Sequence, residues 1–428
     1  MTSNFIAGFA KADITPEPGM PMAGYINRVG NALGAHDPLN ARVLYLSDGY
    51  EEVLIVSMDL IRIDEGLRER VVSTLSRNLG IKPTNVLVAA THTHSGPEVS
   101  LGLWSTKELS RSDEELIRNY LSYLSTKVNN AALRAIERAS EVSELRVATY
   151  EVRGVATNRV LNNDVVDREL TVLSIKYLGG GSSLIMNYAC HPTVLGPDNL
   201  LYSGDLAGLA VTYVEDALGS DALYLNGAAG NVSTRFSRNK QDFEEAKQLA
   251  SIIGEGVVKA LLGGGRSLSG GIEVKVLETY LRLKPPMDES YLRGLEEELR
   301  AKLIKAKESG APPPVLRALE SDIYAVRIAM RRNSILKGVR SVKAVIKLVK
   351  VGDLPIITFP GELFVEYQLG IKKVLGKEVI VAGYTDGYLG YVPYLGRSKL
   401  CYEEIVSLID ESEYPRLKEL LTDLVRGG

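Results

Sequence analysis

The sequence predicts an α/β fold: a mixed sheet flanked by helices, in a three-layer-like arrangement with an inserted helical hairpin. Three observations support this prediction. Short apolar runs of strand length alternate with stretches in which apolar residues recur at helical spacing. Polar motifs follow directly after several of these runs, as expected at the carboxyl ends of strands. The length of 428 residues suits one large catalytic unit, so we expect a single domain over residues 1–428.

The apolar runs define the predicted strands, and the helical periods between them define the predicted helices. Strands are expected at Val53–Val56, Asn85–Ala90, Leu145–Val152, Leu170–Tyr177, Leu184–Ala189, Ala222–Leu225, Ile272–Leu283, Val342–Lys350, Pro355–Phe359 and Glu378–Ala382. Helices are expected at Glu65–Leu79, Ser112–Ala139, Asp205–Leu218 and Asp242–Leu262, with a short one after Glu362.

Residues 287–332 differ in character from the rest of the chain. Two charged helical stretches, Glu289–Glu308 and Val315–Arg332, flank the proline-rich segment Gly310–Pro314. Proline and glycine end helices, so the pattern predicts a helical hairpin inserted in the domain. Such a hairpin could cover an active site or pack as an appendage, and the sequence favours the appendage.

Composition excludes several classes of protein. The net charge of −3 gives no electrostatic footprint for nucleic acid. The two cysteines form no CxxC pattern, so a disulfide framework is excluded. No apolar run is long enough to span a bilayer, and the start of the chain does not resemble a secretion signal. We therefore expect a cytoplasmic enzyme. Scarce glutamine with abundant Lys, Arg and Glu indicates a thermophilic source.

Histidine is rare, yet two of the four histidines lie in one tripeptide, His92-Thr93-His94. Alternate residues of an extended chain face the same side, so this pair can present two imidazoles to one site. Imidazole is a common zinc ligand. The alternative is that one histidine is buried and the other lies on the surface.

Two further candidate ligands follow predicted strands. They are His191, followed by Pro192, and Glu362 in Pro360-Gly361-Glu362. Two histidines and a carboxylate form a typical hydrolytic zinc shell with a position open for water. For His191 the alternative is a core histidine. Cys190 is an unsuitable ligand beside it, because neighbours on a strand point to opposite faces.

The glycine- and alanine-rich loop Asn226–Arg235 carries Ser233 and allows close backbone approach to a ligand. It lacks the GxSxG motif of serine hydrolases. A serine–histidine–aspartate triad that uses Ser233 is nevertheless the main mechanistic alternative. A tight strand-to-helix turn without a catalytic role is also possible. The tyrosines between Tyr384 and Tyr402 are interpreted as core and rim residues.

Together, these segments resemble the catalytic domain of the neutral/alkaline ceramidase family. The ordered set is more specific than any one part, and ATHTHSGP is its most specific member. The matching segments are Gly8–Tyr25, His36–Leu46, Ala90–Pro97, Asn158–Asn163, Val166–Tyr177, Asn187–Gly196, Asn226–Thr234, Phe359–Phe364 and Asp386–Pro393.

The resemblance implies the ligands of one catalytic zinc ion. The first histidine of THTHSGP corresponds to His92, and the histidine before proline corresponds to His191. The glutamate of PGE is Glu362, and the second tyrosine of GYLGY is Tyr391. This implies an amidohydrolase that acts on a lipid-like N-acyl substrate. A small-peptide or small-amide metallohydrolase remains an alternative, and a non-catalytic metal-binding protein is a third class.

The resemblance also implies roles for four residues around the ion. His94 lies beside the metal and contacts the scissile amide, whereas Ser233 orients the amide or the water. Arg159 and Tyr402 are similar to residues that stabilise the substrate or the intermediate. The chain departs from the family's GDVSPN loop, in which the aspartate, proline and asparagine are replaced by Asn231, Thr234 and Arg235.

Overall fold

The fold is described from a computed structural model, which describes residues 5–105, 109–160, 164–394 and 401–427. Residues 161–163 of the segment Asn158–Asn163 therefore lie outside the described residues. The strands are β1 (Ile6–Asp13), β2 (Gly34–Ala35), β3 (Asn40–Ser47), β4 (Glu52–Met58), β5 (Val86–Ala90), β6 (Ser140–Glu151), β7 (Thr157–Asn158), β8 (Glu169–Tyr177), β9 (Ser182–Tyr188), β10 (Leu201–Tyr202), β11 (Asp221–Asn226), β12 (Val232–Ser233), β13 (Arg266–Ser267), β14 (Ile272–Arg282), β15 (Ser341–Val351), β16 (Leu354–Thr358), β17 (Glu362–Leu363), β18 (Ile380–Ala382) and β19 (Tyr391–Val392).

Capping side chains fix several helix boundaries. Asp64 accepts from the backbone N–H of Leu67 at the start of α1, and Ser110 forms a reciprocal capping box with Asp113 at the start of α2. The helices are α1 (Glu65–Leu79), α2 (Arg111–Glu137), α3 (Asp205–Leu218), α4 (Phe243–Leu262), α5 (Glu289–Glu308), α6 (Pro313–Ile335), α7 (Val365–Leu375), α8 (Tyr402–Val406) and α9 (Glu413–Arg426). No helix among the described residues is long and apolar enough to cross a membrane.

A large mixed sheet forms the centre of the molecule, with the strand order β11-β9-β8-β6-β1-β3-β4-β5 and β13 paired to β6. Its interior pairs are antiparallel, whereas the pairs at its two edges, β4–β5 and β9–β11, are parallel. Both faces are covered, so strands such as β4 are buried throughout. Val53 and Ile55 belong to one apolar cluster, and the alternating Leu54 and Val56 belong to another.

A second sheet, β14-β15-β16-β18, packs against the first. Apolar side chains of both sheets form one buried cluster. Helices α1 to α4 cover the outer face of the large sheet, and α5 to α9 pack with the second sheet. The prediction of a mixed sheet with flanking helices is confirmed. The strands after residue 265 pair mainly with one another, so the strands are divided between two sheets.

The two edges of the large sheet converge instead of lying far apart. The hydroxyl of Ser57 on β4 donates to the carbonyl of Tyr224 on β11 (2.6 Å). Asn226, at the end of β11, donates to the carbonyl of Thr91 just after β5 (3.1 Å). Asn187 on β9 donates to the carbonyl of Val381 on β18 (2.9 Å). The carboxyl ends of strands from both sheets therefore meet in one region.

Strand β1 was absent from the sequence prediction because it is rich in small residues, IAGFAKAD. The structure explains this composition. A Cβ added to Gly8 would lie 2.0 Å from the carbonyl oxygen of Ala135 in α2, so the helix backbone approaches the strand too closely for any side chain. The close approach of the helix requires small residues in β1, so the strand lacks the run of large apolar residues by which strands were predicted.

Candidate metal centre

The four predicted ligands lie where the strand ends converge. His92 follows β5, His191 follows β9, and Glu362 begins β17. Tyr391 begins β19 and is the register partner of Glu362 in the parallel β17–β19 pair. The structure thus brings together residues from four distant parts of the chain, and all four side chains are buried.

Three side chains direct potential ligand atoms at one point. The Oε2 atom of Glu362 lies 3.3 Å from His92 Nε2 and 3.0 Å from His191 Nε2. Ligands held at ~2.1 Å in a tetrahedral zinc site are about 3.4 Å apart. The observed separations fit that geometry. His92, His94 and His191 also form a group whose ligand atoms lie within 4.8 Å of one another.

Backbone carbonyls set the orientation of both histidine rings. His92 Nδ1 is 2.5 Å from the oxygen of Ile61, and His191 Nδ1 is 2.6 Å from the oxygen of Ala229. A carbonyl only accepts hydrogen bonds, so each Nδ1 carries a proton and each Nε2 has a lone pair that can bind a metal. The Nε2 of His191 also lies 3.3 Å from Nη2 of Arg159, which donates to it in this structure. The residues present therefore fit a bound divalent ion.

The ring of His92 is held in place at the cost of backbone strain. His92 has φ = 70° and Tyr384 has φ = 56°, in the left-handed region that ordinary side chains avoid. Their rings stack with centroids 4.0 Å apart. The backbone N–H of Ala90, at the end of β5, donates to the carbonyl of Tyr384 (3.1 Å). Strain that persists in two contacting residues indicates a functional position.

Glu362 is kept ionised by its neighbours. Burial alone would raise the pKa of its carboxyl group, but His92 and His191 lower that pKa well below its usual value. Tyr388 donates a hydrogen bond to Oε1, which leaves Oε2 facing the histidines. Burial, followed by the positive charge of Arg159 and then by His92, lowers the pKa of His191 to about 3. His191 is therefore neutral at pH 7, the form that binds metal.

His94 is the most exposed of the three clustered histidines, at 9% against 1% for His92 and 0% for His191. Its Nδ1 lies 3.0 Å from the carbonyl oxygen of Gly24, and its Nε2 lies 3.3 Å from His92 Nε2. Gly24 has φ = 100°, and a Cβ there would lie 2.8 Å from the His94 ring. His94 therefore has room to face a substrate only because residue 24 is glycine.

Arg159 connects the ligand set to a buried carboxylate. Its Nη2 donates to the hydroxyl of Tyr391 (3.0 Å) and the carbonyl of Gly230 (2.9 Å). Its Nε lies 3.0 Å from Glu403 Oε1. Burial alone would lower the pKa of Arg159, but Tyr391, Glu403 and Glu362 raise it, so this side chain stays charged.

Tyr402 and Ser233 lie nearby but differ in their surroundings. Tyr402 packs edge-on against Tyr391, with ring centroids 5.7 Å apart. Ser233 forms a backbone bridge with His191, and its Oγ accepts a hydrogen bond from the N–H of Arg235 (3.2 Å). Among the described residues no histidine is hydrogen-bonded to this hydroxyl, so the structure contains no serine–histidine pair there.

Two cavities open from the centre and share His94, Tyr391 and Tyr402 in their walls. The larger has a volume of about 980 Å³ and an apolar wall. That wall includes Leu101, Leu103, Trp104, Leu109, Ile328 and Val406. The smaller has a volume of about 430 Å³ and is lined mainly by polar side chains. Tyr324 of α6 lines both, so the helical hairpin contributes to the walls of the two cavities.

Sequence reasoning missed Tyr384 and Glu403, and it missed the hydrogen bond by which Tyr388 supports Glu362. Tyr384 and Tyr388 lie in a tyrosine-rich stretch that was interpreted as core and rim. The available signal was the glycine spacing of GYTDGYLGY, because Gly387 and Gly390 have positive φ and turn the tyrosines toward one point. Glu403 gave no signal, because its role depends on Arg159, which lies far away in the sequence.

The fold and the buried histidine–carboxylate cluster define an α/β protein with a preorganised site that could hold a metal ion. The chain belongs to the neutral/alkaline non-lysosomal ceramidase family, because the model of that family's N-terminal region matches residues 5–244. This confirms the family suggested by the sequence motifs.

Named relatives and solved structures are consistent with this membership. Neutral ceramidase 1 of Arabidopsis thaliana is 27% identical over 232 residues, which cover 50% of this chain and 29% of the relative. The Pseudomonas aeruginosa neutral ceramidase is 28% identical over 250 residues, covering 53% and 36%. The chain thus spans about a third of the curated relatives. A crystal structure of the Pseudomonas aeruginosa enzyme superposes with a TM-score of 0.75 at 19% identity, covering 99% of this chain and 74% of that chain. This likeness shows a shared fold.

Proposed function

We propose that this protein is a zinc-dependent hydrolase that cleaves the amide bond of an N-acyl substrate. The observation that supports this most strongly is the donor geometry. The Nε2 atoms of His92 and His191 lie 3.3 and 3.0 Å from Glu362 Oε2, and both rings are fixed by carbonyl acceptors. Two imidazoles and a carboxylate favour zinc and leave a position open for chemistry. We propose the hydroxyl of Tyr391 as a fourth donor.

The bound ion would supply a Lewis acid that polarises the amide carbonyl and activates water at neutral pH. The side chains of the protein orient the substrate. His94 is placed to contact the amide because its Nδ1 is tied to Gly24 while its other edge faces the ligand cluster. His94 or Tyr402 is proposed to stabilise the developing oxyanion, a role worth roughly 3 kcal/mol per well-placed donor. Arg159 is proposed to stabilise the substrate or the intermediate. Ser233 is proposed to orient the amide or the water.

The substrate class follows from the relatives and from the larger cavity. The relatives described above are named neutral ceramidases. A cavity of about 980 Å³ beside the ligands, with one apolar wall, suits a long acyl chain laid along that wall. We therefore propose a ceramide-like reaction, in which an N-acyl amine is converted into a fatty acid and an amine. A series of N-acyl amides with acyl chains from acetyl upward tests this. If long chains give no gain in kcat/KM over acetyl, a small-amide hydrolase should replace the lipid proposal.

We also propose that residues 287–332 belong to the same catalytic unit as the rest of residues 1–428. The support is local: α6 supplies Tyr324, Arg327, Ile328 and Arg331 to the wall of the larger cavity. Arg331 is anchored by hydrogen bonds to the carbonyls of Ser105 and Gly102 on the opposite side. In this proposal the hairpin covers the site and helps to exclude water.

The metal assignment is tested by zinc analysis of single variants. We expect His92→Ala and His191→Ala to lose both zinc and hydrolysis, because each removes one of the three converging donors. His36→Ala is the matched control. His36 is exposed, stacks on Phe243 and pairs with Asp37, so its removal should leave zinc content unchanged. Full zinc occupancy in both His92→Ala and His191→Ala would refute the ligand set.

The serine-nucleophile alternative makes a separable prediction. It requires a covalent acyl group on Ser233, formed without metal. The hydroxyl, however, is hydrogen-bonded only to the backbone of Arg235 within the described residues. Labelling of Ser233 by a serine-directed phosphonate after complete chelation would favour that alternative. Failure to label, together with recovery of hydrolysis on adding zinc, would support the metal mechanism.

A further inference from the structure

Three arginines line the smaller cavity next to the metal centre: Arg235, Arg238 and Arg317. Arg235 and Arg238 follow the loop that carries Ser233, and Arg317 lies in the first turns of α6. The cavity shares His94, Tyr391 and Tyr402 with the larger cavity, one wall of which is apolar. A substrate whose amide lies at the ligand cluster can therefore extend into both cavities.

None of these three guanidinium groups has an acidic partner. Among the described residues no carboxylate lies within 4.0 Å of any of them. Two of them donate hydrogen bonds to uncharged side chains. Arg238 Nη1 donates to Thr234 Oγ1 (3.1 Å), and Arg317 Nη1 donates to the side-chain oxygen of Gln241. The Nε atoms of Arg238 and Arg317 are buried without an acceptor. Buried donors without partners point to a missing anionic acceptor.

The acidic residues that line this cavity are paired with other cations or are exposed to solvent. Glu403 is paired with Arg159, and Glu320 is paired with Lys307 (3.3 Å). Asp198 is exposed.

The arginines also repel one another. Burial, together with the positive charges of Arg159, Arg238 and Arg317, lowers the pKa of Arg235 to about 10. An anion bound between the guanidinium groups would relieve this repulsion.

We propose, on the basis of the hydrolase function above, that this cavity binds an oxyanion carried by the amine part of the substrate. Guanidinium groups bind carboxylate and phosphate in the same forked geometry, so either group fits. The acyl chain then lies along the apolar wall of the larger cavity, and the anionic group occupies the smaller cavity between Arg235, Arg238 and Arg317. The substrate class is an N-acyl amine with an acidic group near the amide, such as an N-acyl amino acid.

Substrate pairs that differ only in charge test the inference. We would compare N-dodecanoylglycine with N-dodecanoylglycinamide, and N-dodecanoylethanolamine phosphate with N-dodecanoylethanolamine. The anionic member of at least one pair should be favoured in kcat/KM by roughly 10- to 100-fold, the effect of a charge-assisted hydrogen bond. Which pair shows the preference distinguishes carboxylate from phosphate.

Variants connect the preference to the cavity. Arg317→Met and Arg235→Met should each reduce the anionic-to-neutral ratio by about tenfold or more. Arg293→Met is the matched control, because Arg293 lies on α5 in an exposed pair with Glu289 (2.5 Å) and should leave the ratio unchanged. Equal ratios in wild type and in Arg317→Met would overturn the inference.

Binding to the chelated protein, measured by calorimetry, gives a second reading that needs no turnover. Tighter binding of the anionic amides that is lost in Arg317→Met would support the anion site. If no amide were hydrolysed in the same experiments, the hydrolase function alone would be refuted. Hydrolysis of neutral amides at least as well as anionic ones, with no binding preference, would refute the anion site and leave the hydrolase function intact.

Discussion

Replacement of Arg159 by methionine should strongly destabilise the protein, apart from any effect on catalysis. The side chains of Arg159 and Glu403 are only 7% and 5% exposed, and Nε lies 3.0 Å from Oε1. The shorter, apolar side chain would leave the Glu403 carboxylate buried without its cation. Removal of one partner of a buried ion pair typically costs about 3–5 kcal/mol. A loss of ~3 kcal/mol lowers the folding equilibrium constant roughly 150-fold.

The coupling free energy between Arg159 and Glu403 can be measured by a double-mutant cycle. Arg159→Met and Glu403→Gln should each lower the free energy of unfolding, measured by urea denaturation followed by circular dichroism on chelated protein. The double variant should be less unstable than the sum of the two, with a coupling energy of about 1.5 kcal/mol or more, since neither residue is then an unpaired buried charge.

The matched control is the exposed pair Glu289–Arg293, whose side chains are 67% and 69% exposed. Arg293→Met should change the free energy of unfolding by less than about 1 kcal/mol. The reasoning fails if Arg159→Met costs no more than this control. It also fails if the costs of Arg159→Met and Glu403→Gln simply add, since Arg159 would then have no specific electrostatic partner.

Four further predictions concern the centre and its supports. His94→Ala should retain zinc by metal analysis but lose about 10²- to 10³-fold in kcat, as expected on removal of an oxyanion-type donor; loss of zinc would make His94 a ligand instead. Tyr388→Phe should weaken zinc binding by about 10- to 100-fold in chelator competition, because the hydroxyl that orients Glu362 is gone; unchanged affinity would exclude this orienting role. Gly24→Ala should reduce hydrolysis without unfolding the protein, because the new Cβ would lie 2.8 Å from the ring of His94; wild-type kcat would contradict the close approach. Burial raises the pKa of Asp205 to about 6, above the ~3.9 expected in the unfolded chain, so its stabilising contribution is lost as pH rises from about 4 to 6. Asp205→Asn should remove that part of the slope of unfolding free energy against pH, and an unchanged slope would contradict the shift.

The sequence predicted much of the fold because the signals it used are local. Strand β5 is a continuous apolar run, and α2 shows helical spacing and begins at a capping serine. The division of the strands between two sheets could not be predicted, because pairing between β14 and β15 is set by tertiary contacts between residues far apart in the chain. The cytoplasmic location and thermophilic source stay predictions from composition.

The candidate site could be predicted only where its residues carry recognisable chemistry. His92, His191 and Glu362 are ligand types that follow predicted strands, and the structure places them together. The support that Tyr388 gives to Glu362 could not be read from spacing, since it depends on the direction of one side chain. The roles assigned to the site residues remain predictions that the experiments above can test.

The convergence of strand ends also has a consequence for folding. The proposed ligands reside on both sheets: His92 and His191 follow strands of the large one, whereas Glu362 follows β16 of the second. An ion held by all three would act as a cross-link between the sheets. Contacts this distant in the chain form slowly, so the site can be complete only after the sheets have docked. Zinc content would then report the fraction of molecules that have completed docking, and chelation should lower stability by mass action.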